Sequence, residues 1–333
     1  MKKRNAFATI AIGMALSGMA SHAIAAGMDD PRRADYFKVF DGKTVALVPS
    51  TMGIDLTEGW ASALRQQANR LGMKLEIRDP HLSADVGAQA ITALISEKPD
   101  VIIAHNLDVQ SYAKLLKRAE DAGIHVIQVA MRSNYNSDAY VGPDWIAVGE
   151  AETQAVVDRC GAGTSGKVAI LVGQPTAGSD SGMLKGAENV LAKHPEIKLV
   201  ANQAADWDAN KARSVIATVI QQNPDLCGVV GFWDVMDLGA AAAIKESGKS
   251  IALVTSGGGE QMACDNVEKG VFQEEVAYHV MDIGRDLNDV IQVVLESGLP
   301  AGKEKIVVYS PTTKITKETL RPGLCWSVKN LEK

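Results

Sequence analysis

No apolar run in this chain is long enough to cross a membrane. The one candidate, Ala6 to Ala20, falls short of the roughly 20 residues a spanning helix needs, and no later segment is both long and free of charge. A basic block is also missing. The formal net charge of -6 is spread along the sequence, which argues against nucleic acid and against an anionic membrane surface as partners; its plainer meaning is solubility. The histidines, His22, His81, His105, His125, His194 and His279, show no spacing suited to a metal, and there is no C-x-x-C motif. No Ser-His-Asp or Cys-His arrangement emerges, so nothing points to catalysis, and no cofactor is expected. His105 and His279 read as structural.

The first 25 residues have the form of an export signal. Lys2, Lys3 and Arg4 precede the apolar run, and Ala23-Ile24-Ala25 fits a cleavage site near Ala25. No cysteine follows that site, so no lipid attachment is expected, and the simplest compartment is a Gram-negative periplasm. Cys160, Cys227, Cys264 and Cys325 all lie in the second half. An even number of spaced cysteines in an oxidising compartment favours structural disulfides, and four allow three connectivities.

From Lys43 onward, short β-branched runs alternate with longer amphipathic stretches, the pattern of a parallel sheet covered by helices. Strands are predicted at Thr44–Val48, Lys74–Arg78, Val101–Ala104 and His125–Val129. Trp60, Ala61, Leu64, Ala68 and Leu71 recur at helical spacing, with Thr57 as N-cap and Gly72 as the stop; Gly123 ends a later helix. After Gly142-Pro143 the alternation restarts, with strands near Lys167–Val172, Lys198–Ala201, Cys227–Gly231 and Ile251–Thr255. The helix bearing Ala212, Val215, Ile216, Val219 and Ile220 takes Asp206 or Asp208 as its cap. A strand at Val271–Ala277, a helix over His279–Glu296 and a strand at Lys305–Tyr309 are too few for a third domain and complete the first two. The fold class is α/β, with two similar doubly wound parallel-sheet lobes. On this coarse fold the favoured pairing of the cysteines is Cys160–Cys227 with Cys264–Cys325. Gly161–Lys167 (GAGTSGK) mimics a phosphate loop, but it ends in Val168 and precedes its strand, so it reads as a helix-to-strand turn.

Ligands of open parallel sheets sit beyond the carboxyl ends of the strands, so two facing sheets leave a functional cleft between them. The segments VALVPSTMGIDLTEGW, KPDVIIAHNLD with AEDAGIHVIQV, ADWDANKA, GFWDVMDLGAAAAIKESGK and GVFQEEVAYHVMDIG occur in an order that resembles the ribose-binding-protein-like family of periplasmic sugar-binding proteins. The resemblance covers Lys43 to about Pro311. It implies a three-crossing hinge near Pro143, Tyr278 and Pro311. One lobe would then be 26–143 plus 279–310, and the other 144–278 plus 311–333. It further implies a non-enzymatic, monomeric subunit of an ABC importer that delivers a small sugar or polyol to an inner-membrane permease. The rivals are a binding protein for a non-sugar ligand, and a sensor subunit presenting its ligand to a receptor kinase. Repressors of similar fold carry a DNA-reading helix pair where this chain has its export signal.

Carried onto this sequence, the family's pattern places Ser50 at a polar contact, Trp207 at a stacking position and Trp233-Asp234 at an Asn-Asp pair. Its Asp-Arg falls on Ala130 and Met131, with Arg132 one residue beyond. A second arginine falls at Met183, an aspartate at Gly257 in SGGGEQ, and a glutamine at Tyr278. These replacements remove groups that a monosaccharide's hydroxyls require, since a hydroxyl buried without a partner costs about 1–3 kcal/mol. Trp207, Trp233 and Tyr278 could line the cleft or pack a lobe interior. Asp55 and Asp234 could bind hydroxyls or cap helices. Arg132 could fork a ligand or be solvated, and Asn106 and Asp108 are strand-end contacts.

Overall fold

The computed structural model describes residues 32–331; the expected export signal lies outside them. The chain begins with α1 (Arg32–Phe40), β1 (Thr44–Val48), α2 (Asp55–Leu71), β2 (Lys74–Ile77), α3 (Ala84–Glu97), β3 (Val101–Ala104), α4 (Ala113–Asp121), β4 (His125–Val129) and β5 (Ala139–Gly142). It continues through α5 (Trp145–Arg159), β6 (Lys167–Val172), α6 (Gly178–Leu191), β7 (Lys198–Ala204), α7 (Ala209–Gln222), β8 (Gly228–Gly231), α8 (Asp234–Ser247), β9 (Ala252–Gly257), α9 (Gln261–Glu268) and β10 (Glu274–Ala277). Last come α10 (Val280–Glu296), β11 (Ile306–Tyr309) and β12 (Thr313–Ile315).

Two six-stranded sheets result, ordered β11-β5-β4-β3-β1-β2 and β12-β10-β9-β8-β6-β7. Every pairing is parallel except β10 with β12. Parallel strands need helices on both faces, and the sequence supplies apolar side chains to both. Val45, Leu47, Val101 and Ile103 enter one core, while Ala46, Val48, Ile102 and Ala104 enter the core on the opposite face. The second sheet repeats this, with Ala169, Leu171 and Val229 facing one way and Val168, Ile170 and Val230 the other. Trp60, the largest fully buried side chain, anchors α2; its burial is worth about 2–3 kcal/mol.

The strands β5 and β12 are additions to the sequence-based expectation, and Val271–Gln273 form a turn before β10. Thr57 is not a cap: α2 begins two residues earlier, and the Thr57 hydroxyl donates to the Ile54 carbonyl within the first turn. Gly72 does end α2 at φ 72°. Asp208, rather than Asp206, caps α7 by accepting from the Lys211 amide. The GAGTSGK segment joins α5 to β6 as a turn.

Both disulfides are formed. Cys160–Cys227 ties the end of α5 to the start of β8 across 67 residues, and Cys264–Cys325 ties α9 to the C-terminal segment across 61. That segment carries Trp326 back to the junction of the sheets. Its indole N–H donates to the Gly258 carbonyl at 2.9 Å, and its ring fills the space where a side chain on Gly59 of α2 would be.

Candidate functional site

A cavity of about 390 Å³ opens between the carboxyl ends of the two sheets. From the first sheet, Ser50 and Thr51 follow β1, Leu82 and Ala84 follow β2, His105, Leu107 and Asp108 follow β3, and Met131 follows β4. Ile54 and Leu56 come from the start of α2. The second sheet contributes Gln174 after β6, Asp206, Trp207 and Asp208 after β7, Phe232 and Trp233 after β8, and Tyr278 after β10; Ser179 and Met183 of α6 and Trp145 of α5 complete it. Strand-end loops from the two sheets meet beside the cavity, where the Val109 amide donates to the Thr176 carbonyl at 3.0 Å.

The rings are held by specific geometry. Three atoms of the Trp207 indole lie 2.2–2.3 Å from where a Cβ on Gly173 would stand, so the ring lies flat over a backbone that must be glycine. Trp207 meets Trp233 edge-to-face at 5.9 Å, and Trp145 meets Tyr278 edge-to-face at 5.2 Å. The Trp145 indole N–H donates to the Ala130 carbonyl at 2.5 Å. Backbone strain gathers at the same place. Among the described non-glycine residues, positive φ occurs at His81, Leu82, Ala130, Asp206, Trp207 and His279, all on or beside the cavity wall, and at Lys98, which ends α3. Left-handed backbone at such residues costs on the order of 1–3 kcal/mol each and persists where the surroundings enforce it, often at functional sites.

The titratable groups divide into two sets. Ser50 donates its amide to His105 Nδ1 at 3.3 Å, which leaves the ring proton on Nε2. Burial pushes the His105 pKa down to about 4, so the ring is neutral. Behind Tyr278 lies a group of buried acids. Burial raises Asp234, Glu260 and Glu275 above the usual carboxylate range, Glu260 to about 7, and nearby acids add to it: Glu260 at Asp234, Asp55 at Glu260, and Asp234 with Glu260 at Glu275. Asp234 Oδ2, Glu260 Oε2 and both Glu275 oxygens are buried without a hydrogen-bond partner. Burial and these same acids hold the Tyr278 hydroxyl protonated.

Of the residues singled out from sequence, Ser50, Asp108, Met131, Trp207, Trp233 and Tyr278 lie on the cavity wall, whereas Asp55, Asn106, Arg132, Asp234 and Gly257 do not. Asp55 is exposed at the first turn of α2. Asn106 is buried, and its amide donates to Gln128 Oε1 and to the Met131 carbonyl. The Arg132 guanidinium stacks 3.8 Å from the Tyr140 ring and bonds the Tyr309 hydroxyl, away from the ligand space. Asp234 Oδ2 turns inward toward Gly257, where a Cβ would lie 2.4 Å from it and 2.9 Å from Glu275 Oε1. Gly257 therefore makes room for carboxyl groups. Sequence reasoning missed Trp145, although an aromatic residue just past the predicted first crossing was a usable signal. It placed His105 near the cleft while favouring a structural role for it, and gave no cleft role to the aliphatic wall of Ile54, Leu56 and Leu82.

Residues 45–299 match the periplasmic binding protein domain family. The chain belongs to that family. It is 29% identical over 275 residues to the D-allose-binding periplasmic protein of Escherichia coli, covering 75% of this chain and 88% of that one. It is 28% identical over 234 residues to the xylitol-binding protein of Mycolicibacterium smegmatis, covering 70% of this chain and 66% of that protein. Among solved structures, an ABC transporter solute-binding protein from Agrobacterium vitis bound with alpha-D-tagatopyranose superimposes with a TM-score of 0.76 at 23% identity, over 86% of this chain and 99% of that one. That last likeness is one of fold.

Proposed function

We propose that the protein is the solute-binding subunit of an ABC importer, which captures a small sugar or polyol between its sheets and delivers it to an inner-membrane permease. The observation that carries this is the cavity itself, walled by the carboxyl ends of strands from both sheets and by the rings of Trp145, Trp207, Phe232, Trp233 and Tyr278. Its relatives are named for binding a sugar or a sugar alcohol, and the protein is a binder rather than an enzyme. Among the described residues, 32–143 plus 279–310 make one lobe and 144–278 plus 311–331 the other. A ligand touching both stabilises their closed arrangement by its differential contacts, with no covalent step. The protein acts as a monomer in the periplasm after cleavage near Ala25.

A thermal-shift screen of the refolded, ligand-stripped protein against pentoses, hexoses and polyols tests this reading. A ligand at 100 times its dissociation constant should add about 2.7 kcal/mol to stability. A rise in melting temperature with at least one such solute supports the proposal; failure of the whole panel sinks the assignment of a neutral sugar or polyol as the solute.

A further inference from the structure

The cavity wall is short of one kind of group. None of the described residues lining it is lysine or arginine, and its histidine, His105, is neutral. Its charged members are Asp108, Asp206 and Asp208. Lys211 offsets Asp206 from outside the wall; Asp208 caps α7, and Asp108 accepts from Ser111 and the Gln110 amide, hydrogen bonds that bring no positive charge. An anionic ligand would meet no counter-charge here. A polyhydroxylated ligand would find wall carboxylates, hydroxyls and the Gln174 amide, but no guanidinium fork.

What the wall offers instead suits a positive charge. Trp145 with Tyr278 and Trp207 with Trp233 form two edge-to-face pairs, at interplanar angles of 71° and 80°, around one space. Aromatic faces attract ammonium groups electrostatically, and more strongly where water is excluded. We propose that the cleft selects an organic cation of sugar or polyol size, whose ammonium or quaternary ammonium group sits among Trp145, Trp207, Trp233 and Tyr278. This rests on the reading of the cleft as a solute-capture site and narrows the chemistry of the solute.

The test is calorimetric titration of the ligand-stripped protein with matched probes. Pentitol and hexose skeletons are each presented in four forms, with one position carrying hydroxyl, ammonium, trimethylammonium or carboxylate. The ammonium and trimethylammonium forms are expected to bind at least about tenfold more tightly than the hydroxyl parent, and the carboxylate form not at all. Trp207→Leu should abolish the preference and Trp207→Phe should keep part of it. A hydroxyl parent that binds as tightly as its ammonium form overturns the inference while leaving solute capture intact. If no form of either skeleton binds, both the inference and the capture reading fall.

Discussion

Gly173 is glycine because Trp207 occupies the space its side chain would need. A methyl group there would stand 2.2 Å from the indole, so Gly173→Ala must push the ring off the end of β6 and into the cavity. The expected result is a loss of about 1–3 kcal/mol in stability, as for other overpacked sites, together with at least about a tenfold loss in ligand affinity. Thermal denaturation and titration of the same variant check both, and an unchanged affinity would show that Trp207 does not touch the ligand. Trp207, Trp233 and Tyr278 were legible because the resemblance to the sugar-binding family places them at cleft positions. Arg132 follows a predicted strand, but strand-end position fixes only where a backbone emerges. The direction of a long side chain depends on its neighbours, and the Tyr140 ring holds this one elsewhere. Asp234 was ambiguous for a related reason: its carboxyl turns back toward Gly257, a contact between α8 and β9 that no local pattern encodes.

Elements were more legible than side-chain directions, because β-branched apolar runs and helical spacing extend over several residues while one side chain occurs once. The strands β1, β3, β4 and β6 match their predicted bounds since each is an apolar run buried on both faces. The strands β5 and β12 escaped notice: they are four and three residues long, and AYVG and TKI carry no pattern that distinguishes them from loop. The disulfides act at this scale. Cys160–Cys227 closes a loop of 67 residues in the unfolded chain, so replacing both cysteines with serine should cost about 2–5 kcal/mol. Denaturant titration of the oxidised protein and of the double variant measures the difference. Capping at α7 makes a smaller contribution, and Asp208→Ala should lower stability by about 1 kcal/mol through loss of the Lys211 amide bond.

Across the whole molecule, buried acids set how stability depends on pH. Burial raises Asp180 and Glu260 to about 7 and Asp237 to about 8, and lifts Glu152, Asp234 and Glu275 as well. Such acids keep their protons in the folded state at pH values where the unfolded chain has lost them, so unfolding releases protons and stability falls as pH rises from about 4 to about 8. His105 opposes this between its folded value of about 4 and its ordinary 6.5, because it takes up a proton on unfolding. The acids outnumber it, so the melting temperature should be lower at pH 8 than at pH 5. Glu275→Gln, which removes a carboxyl that neighbouring acids repel, should raise the melting temperature at pH 8 and flatten the slope; the reverse would mean that Glu275 has a stabilising partner. On the proposed function, one small solute is held between the two sheets against Trp207. Calorimetric titration of wild type and Trp207→Ala with the best solute from the thermal screen tests it most directly. One site per chain is expected in the wild type and at least about a tenfold loss of affinity in the variant; equal affinities in the two proteins would mean that Trp207 does not hold the solute.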